Sequence, residues 1–445
     1  MEEKEYLQTL GEQILNPHAR ANVLEEIQNH IDEQTQDYVD AGMDFKAAKK
    51  EAVRQMGDPV TTGTELNRIH RPQFPVVLFG IAMVLTLFGI LMQYILYVSE
   101  PSDNAYSHIG FMQHTIVYNL IGLGIILLGI FGNYMILSRC SRLLYVIFLA
   151  VPPLCFALVH SYGGRQITAY FFCLLYPLVY ALLLYRYREK GWKTIALLHV
   201  LSLLFFGIIL SQTIGSVWPP ILAFVLLSVL LLGICIQKRF LPGSKKVLWC
   251  WTLLPYIGIA ALSGSLFLRP QFYLYERLMS ALGLQHTGIG SEFTKHALLQ
   301  DQMKFTLFGG TSVSNRLPRE DLYSTYLLHS IFLWFGIVVG ILVIAALAFF
   351  ALYSMRCALR QSNRLAMLLG SAASGILLLE LLNYVLTNFG INLFYTASVP
   401  FLSYGLTSTV ANSILVGLLL GIIRNRNVLY EQEPEQTVIR DTGAV

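Results

Sequence analysis

The chain has 445 residues, of which 55% are hydrophobic and only 13% are charged. A soluble domain normally has about 25% charged residues, so this composition excludes an ordinary soluble protein and indicates that lipid is the main solvent. The six cysteines form no CxxC pair, which argues against disulfide and zinc sites.

The charge is divided unevenly along the chain. Residues 1–74 hold 14 of the 27 acidic and 8 of the 31 basic side chains, a net charge of −6, whereas the remainder has a net charge of +10. Such an asymmetry marks a domain boundary. We therefore predict a separate acidic domain at residues 1–72.

Apolar residues in this domain recur at helical spacing. They predict three short amphipathic helices, with apolar faces at Leu7, Leu10 and Ile14, at Leu24, Ile27 and Ile31, and at Phe45, Ala48, Ala52, Val53 and Met56. Asp44 is a natural N-cap for the third helix, and Gly57-Asp58-Pro59 is expected to end it.

Apolar stretches long enough to span a bilayer follow. They predict an all-α membrane domain of ten transmembrane helices at residues 75–425, near Pro75–Val98, Thr115–Leu137, Leu143–His160, Ile167–Tyr185, Trp192–Ser211, Trp218–Ile236, Val247–Leu268, Tyr326–Leu352, Leu365–Thr387 and Thr407–Ile423. Residues 426–445 are expected to form a cytoplasmic C-terminal tail.

The basic residues between these stretches cluster on one side. They lie at Arg139 and Arg142, at Arg186, Arg188 and Lys190, at Lys238, Arg239, Lys245 and Lys246, at Arg356, Arg360 and Arg364, and at Arg424 and Arg426. By the positive-inside rule both termini are cytoplasmic, which requires an even number of spans. We predict a multi-pass protein of the bacterial cytoplasmic membrane.

The outer loop from Arg269 to about Thr325 is by far the longest predicted loop. Long loops are usually functional or disordered, and the aromatic and apolar content of this one favours order. It also holds five of the acidic residues outside the N-terminal domain. Chemistry is therefore expected here. Within the predicted spans, Glu380 is the one deep acidic residue, either functional or bonding neighbouring helices.

A further motif precedes the last span. Val399-Pro-Phe-Leu-Ser-Tyr-Gly405, followed by Thr407, Ser408, Thr409 and Asn412, is typical of a broken, re-entrant entry to a helix. It resembles the "LPF-(I/V)-SYGG-(S/T)-S" signature of the SEDS family (shape, elongation, division and sporulation), which includes FtsW, RodA and SpoVE. Asn388–Asn392 is similar to that family's "NIGM" segment, and Tyr162–Gln166 to its "NGAxRW" loop.

The resemblance implies an activity. SEDS proteins polymerise lipid II into glycan strands for division, elongation or sporulation, with a class B penicillin-binding protein as partner. This chemistry needs a carboxylate base and cations for the leaving pyrophosphate. Aligned on Leu317-Pro-Arg-Glu, the family's catalytic acid falls on Asp321; aligned on Gly336, it falls on Thr325 and the acid is lost.

The resemblance also implies binding residues. A groove for the lipid substrate would be lined by Asn388, Ser403, Tyr404 and Ser408, with Arg165, Arg277, Arg316 and Arg319 for its pyrophosphate. No organic cofactor and no protein metal site are implied, although a divalent cation could accompany the pyrophosphate. No nucleic-acid partner is expected.

Other hypotheses remain open. The chain could be a catalytically degenerate scaffold or regulator of a penicillin-binding protein, or a transporter of lipid-linked precursors. Glu51–Pro59 is similar to the end of the small helical prefix domains that precede many permeases, and this resemblance implies a regulatory or recruiting role for residues 1–72. A capped helix that ends in a turn explains the same residues without any such role.

Overall fold

A computed structural model describes residues 2–69, 71–98, 105–158, 162–212, 218–267, 290–310, 317, 319–391 and 398–426. Within these ranges the regular structure is helical throughout, with no strand. The chain is an all-α, polytopic membrane protein, as its composition predicts.

The N-terminal residues form four helices where the apolar pattern predicts three. They are α1 (Glu3–Gln13), α2 (Pro17–Asp40), α3 (Phe45–Gln55) and α4 (Pro59–Ile69). The Asp44 carboxylate caps α3 by accepting from the amides of Lys46 and Ala47, as predicted. Helix α3 ends before Gly57-Asp58-Pro59, as predicted. Pro59 then begins a fourth helix, α4, because proline is tolerated in the first turn of a helix.

These four helices share a small apolar core. Its largest members, Tyr6, Leu10, Ile14 and Ile31, are fully buried. The Tyr6 hydroxyl donates to the Met56 carbonyl over 3.1 Å, which ties α1 to the end of α3. Residues 1–74 form one compact unit with Gln361–Asn363 and the end of the last helix.

The second unit contains the membrane helices. Nine helices of the described residues are long and apolar enough to cross a bilayer. A further helix, Lys245–Phe267, lies at the predicted seventh span. The first helices of this unit, in chain order and including the short α7, are α5 (Val76–Val98), α6 (Ala105–Phe131), α7 (Met135–Arg139), α8 (Ser141–Leu158), α9 (Tyr162–Tyr187), α10 (Trp192–Gln212), α11 (Trp218–Gln237) and α12 (Lys245–Phe267).

The chain continues through the predicted outer loop to the last spans. These elements are α13 (Gly290–Gln302), α14 (Arg319–Leu322), α15 (Leu327–Phe335), α16 (Ile337–Leu359), α17 (Arg364–Asn388) and α18 (Leu406–Arg424). The core is built around two of the spans, α17 and α9. In the most apolar stretch of each helix, the share of residues that are buried is 83% for α17 and 72% for α9, against 33% for α5 and for α16. The outer spans therefore present most of their surface to lipid.

The predicted eighth span, Tyr326–Leu352, is wrong as one continuous helix. The structure breaks it at Gly336, which has a φ of 85° and separates α15 from α16. The amides of Ile337 and Val338 donate to the carbonyls of Thr306 and Leu307, over 2.9 and 3.4 Å. Because these carbonyls satisfy the first amides of α16, a new helix can begin there.

Two glycines bring α6 and α18 into close contact. A Cβ atom on Gly129 would lie 2.4 Å from the carbonyl carbon of Gly417. Such small residues allow two membrane helices to approach backbone to backbone. The contact fixes the position of α18 and hence of the segment that precedes it.

Candidate functional site

Asp321 lies in the one-turn helix α14, and its side chain is half-buried. Its carbonyl accepts from the amides of Ser324 and Tyr326, over 3.3 and 2.8 Å. These bonds close a turn, Tyr323–Tyr326, that leads directly into α15. We call Asp321–Tyr326 the Asp321 turn. Thr325, the alternative position in the family alignment, belongs to the same turn.

The residues Val399–Gly405 form a compact non-helical segment before α18, which we call the PF segment. The Val399 amide donates to the Ser403 hydroxyl over 2.9 Å, and the Ser403 amide donates to the Val399 carbonyl over 3.3 Å. Phe401 has a φ of 72°, a left-handed conformation that is rare and strained for a bulky residue. The predicted broken entry to the last span is present.

The PF segment and the Asp321 turn are hydrogen-bonded to each other. The Tyr404 amide donates to the Tyr323 carbonyl over 3.0 Å, and the Ser403 hydroxyl donates to the Ser324 carbonyl over 3.2 Å. The segment that carries the strongest family-like motif therefore supports the turn that carries the candidate acid.

Helix α17 holds the same turn from another side. Both ends of the buried Asn388 amide are engaged: Oδ1 accepts from the His329 amide and Nδ2 donates to the Thr325 carbonyl, each over 2.9 Å. The Tyr384 hydroxyl donates to the Ser324 carbonyl over 3.2 Å. With its polar atoms bonded to backbone, Asn388 positions the Asp321 turn.

Helix α5 contacts the PF segment at Phe401 and Leu402. The buried Gln93 donates through Nε2 to the Leu402 carbonyl over 2.8 Å, and Thr115 of α6 donates to its Oε1 over 3.2 Å. One turn earlier, a Cβ on Gly89 would lie 2.5 Å from the Phe401 carbonyl oxygen. The PF segment thus requires both a glycine and a hydrogen-bonding side chain on α5.

An aromatic cluster lies where α6 meets these two segments. The Phe111 ring lies 4.3 Å from the ring of Tyr323 and 4.5 Å from that of Tyr404, and Tyr118 lies 5.7 Å from Tyr404. All distances are between ring centroids. Rings at these separations attract each other beyond the area they bury, so the cluster strengthens the join between the PF segment and the Asp321 turn.

A cavity of about 220 Å³ lies between α5, α6, α18 and the PF segment. Val399, Phe401 and Ser403 line it together with apolar residues of α5 and α6. Asn412 of α18 also faces it, and the buried Oδ1 of this residue has no hydrogen-bond partner among the described residues. Of the residues predicted to line the substrate groove, Ser403 lines this cavity, whereas Asn388, Tyr404 and Ser408 are not among the described residues that line it.

The remaining predicted site residues have different outcomes. The Ser408 hydroxyl donates over 2.9 Å to the Gly405 carbonyl and so closes the first turn of α18. Arg277 and Arg316 lie outside the described residues, as do the side chains of Arg165 and Arg319. The roles assigned to these four arginines stay predictions.

The deep acidic residue Glu380 is 3% exposed. Its Oε1 is 3.5 Å from the Ser398 hydroxyl, and its Oε2 has no partner among the described residues. Glu380 therefore lies next to the residue that precedes the PF segment. No group of three His, Cys, Asp or Glu side chains in the described part of the chain could hold a metal ion.

Sequence reasoning missed several supporting residues. Gln93 is a polar residue in an apolar span, a signal that could have identified it. Phe111 and Tyr118 are two helical turns apart on one face of α6, which is a weaker signal. Nothing in the sequence around Tyr384 or Gly89 indicates their partners, because those partners lie far away along the chain.

Comparison with known proteins bears on the fold. No family model matches the chain, and no curated protein matches it. The fold is similar to that of a chain in the solved structure described as "Structural coordination of polymerization and crosslinking by a peptidoglycan synthase complex", with a TM-score of 0.59 and 16% sequence identity. The likeness covers 79% of this chain and 98% of that chain.

Proposed function

We propose that this protein is a SEDS-type cell-wall protein that polymerises lipid II by glycosyl transfer. The observation that carries the proposal is the hydrogen-bonded union of the PF segment with the Asp321 turn. It joins the most family-like motif to the candidate acid, in a fold similar to that of a chain in a peptidoglycan synthase complex.

In this proposal Asp321 is the general base. Its carboxylate takes the proton from the acceptor sugar hydroxyl while the hydroxyl oxygen attacks the anomeric carbon of the donor. The bond from that carbon to the lipid pyrophosphate breaks, and the pyrophosphate leaves as an anion that Arg165, Arg277, Arg316 or Arg319 would stabilise. A half-buried carboxylate suits this role because it can reach a substrate while remaining partly desolvated.

A base is effective only when the residues around it hold it in place. A catalytic group accelerates a reaction when it is held close to its productive geometry, and displacement by about 1 Å can reduce the rate about 100-fold. Here Ser403, Tyr404, Tyr384 and Asn388 bind the three carbonyls of Tyr323, Ser324 and Thr325. We propose that these contacts position Asp321.

The substrate and partner follow from the same proposal. Lipid II is an undecaprenyl pyrophosphate that enters from the bilayer, and the apolar cavity beside the PF segment could hold part of such a chain. A class B penicillin-binding protein would be the partner that cross-links the product. Both termini would be cytoplasmic and the Asp321 turn would face the outside of a bacterial inner membrane.

The scaffold hypothesis has one observation in its favour. Asn388 and Ser403, which the resemblance assigns to substrate binding, are bonded to backbone groups and serve the architecture. A protein that had lost the reaction but kept its partner would retain such contacts. The two functions therefore need a test that separates chemistry from folding.

Replacing Asp321 with Asn provides that test. Asn keeps the size and hydrogen bonding of the side chain but removes the base, so polymerisation of lipid II by the purified protein with its partner should fall about 100-fold or more. Glu320→Gln removes the neighbouring charge from the same helical turn and serves as the matched control.

Equal polymerisation by wild type and the Asp321→Asn variant would exclude Asp321 as the base. No polymerisation by wild type, with the partner still bound, would favour the scaffold. Movement of intact lipid II across vesicles without polymerisation would instead favour a transporter.

A further inference from the structure

The turn that follows α13 exposes three large apolar side chains within six residues. Met303 is 89% exposed, Leu307 is 66% exposed and Phe308 is 76% exposed. Isolated apolar residues on a surface are common, but a contiguous group of this size usually marks an interaction site. We call Met303–Phe308 the apolar turn.

The apolar turn is attached to the first residues of a membrane span. The carbonyls of Thr306 and Leu307 accept from the amides of Ile337 and Val338, which begin α16. Since α16 is long and apolar enough to cross the bilayer, these bonds hold the turn at the depth where the hydrocarbon core begins.

The turn also lies above a lipid-facing stripe of α16. Residues three and four positions apart share one face of a helix, so Ile341 and Leu342 lie below Val338 on its face. They are 55% and 62% exposed, which indicates that this face contacts lipid. The Leu307 carbonyl bonds to the Val338 amide at the top of the stripe.

Local geometry holds the turn in one shape. Phe305 points inward, with its ring 5.3 Å from the ring of His329 and 5.3 Å from that of Phe332. The Thr306 hydroxyl donates to the carbonyl of Gly309, and Gly309 has a φ of 71°. Phe305 is therefore partly buried while the three exposed apolar side chains project outward.

The apolar turn is connected to the candidate site through α13. Ala297 and Leu298 of α13 pack with Leu322 and Tyr326 of the Asp321 turn, and with Leu317. Asp301, at the end of α13, lies 2.8 Å from the Lys304 ammonium and 3.9 Å from Nε2 of His329 in α15. The depth of the apolar turn relative to the membrane thus fixes the depth of α13 and of the Asp321 turn.

From these contacts we infer that Met303, Leu307 and Phe308 insert into the boundary between headgroups and acyl chains of the adjacent leaflet. This is the outer leaflet in the orientation proposed above. The insertion anchors α13, and through it the Asp321 turn, at the membrane surface. The anchoring role goes beyond the proposed function, and only its benefit to catalysis rests on that function.

Site-specific photo-crosslinking tests the inference. Benzoylphenylalanine is placed at residue 308 of the full-length protein, which is purified into nanodiscs of phosphatidylethanolamine and phosphatidylglycerol and irradiated. Lipid adducts are then counted by mass spectrometry. Residue 342 on α16 is the lipid-facing positive control, and residue 33, a 77% exposed glutamate in the N-terminal domain, is the aqueous control.

We expect residue 308 to give lipid adducts at a yield comparable to residue 342 and at least ten times that of residue 33. Residue 303 provides a second, independent position. A yield at both 303 and 308 as low as at residue 33 would overturn the inference. So would adducts formed in cells with a protein partner combined with no lipid adduct in nanodiscs. Because the readout is contact with lipid, its failure is distinct from failure of the polymerase proposal.

Discussion

The backbone amide of Tyr404 donates a hydrogen bond over 3.0 Å to the carbonyl of Tyr323. This bond joins the segment before the last span to the turn before the eighth, and the ring of Phe111 packs on the rings of both residues. The candidate site is therefore a junction of three distant parts of the chain. Its integrity can be tested at each contact.

Gly89 should not tolerate a side chain. A Cβ there would lie 2.5 Å from the Phe401 carbonyl oxygen, so Gly89→Ala must displace the PF segment. Such overpacking costs about 1–3 kcal/mol, and the midpoint of thermal unfolding in detergent should fall. Gly80→Ala on the same helix is the matched control, because a Cβ there meets nothing within 4 Å. Equal midpoints for the two variants would contradict the observed packing.

Asn388 should be needed for stability even in the absence of substrate. Asn388→Ala leaves the buried His329 amide and Thr325 carbonyl without these partners, at about 1–3 kcal/mol for each unpaired group. We expect a lower unfolding midpoint than for Asn383→Ala, a half-buried asparagine on the same helix. If Asn388→Ala weakens only substrate binding and leaves the midpoint unchanged, the residue contacts substrate directly.

The stability of the start of α4 should depend on pH, because Asp58 caps this helix. The hydroxyl and amide of Thr61 hold the pKa of the Asp58 carboxyl below its ordinary value. A carboxyl with a lowered pKa in the folded state adds stability above its ordinary pKa, and that stability is lost as the pH falls through the lowered value. Asp58→Ala should therefore speed amide hydrogen exchange in Pro59–Ile69 at neutral pH several-fold.

The difference between wild type and Asp58→Ala should shrink on acidification, when the wild-type carboxylate is protonated. Asp37→Ala, at an exposed position within α2, should leave exchange in α4 unchanged. A difference that is constant from neutral to acidic pH would mean that the charge of Asp58 does not cap α4.

The two ends of the membrane domain should lie on the cytoplasmic side. Basic residues cluster in four of the predicted loops and directly after the last span, and their retention in the cytoplasm orients the chain. Alkaline phosphatase fused at Asp301 should be active, whereas the same reporter at residue 445 or within the loop at Lys238–Lys246 should be inactive. The ten-span prediction has an odd number of spans, three, between Asp301 and residue 445. Reporter activity at both positions would place both outside the cytoplasm and would contradict that prediction.

Hydropathy was sufficient to predict the positions of most membrane helices from sequence. A segment that crosses the hydrocarbon core must satisfy its own backbone and remain apolar for about 20 residues, and this requirement is local. The helices at the predicted first, fifth and ninth spans consequently begin and end within one or two residues of their predicted bounds. The same locality explains the correct assignment of Asp44 as an N-cap, since its partners are Lys46 and Ala47.

Only the tertiary structure decided how the candidate site is assembled. Gly336 lies inside a continuous apolar stretch, and the helix breaks there because carbonyls from Thr306 and Leu307 arrive from the loop to cap a new one. In the same way, the side chains of Asn388 and Ser403 bond to the carbonyls of Thr325 and Ser324, which lie 63 and 79 residues away along the chain. Hydrogen bonds between segments far apart in the chain depend on where folding places those segments, and no local pattern of residues encodes that placement.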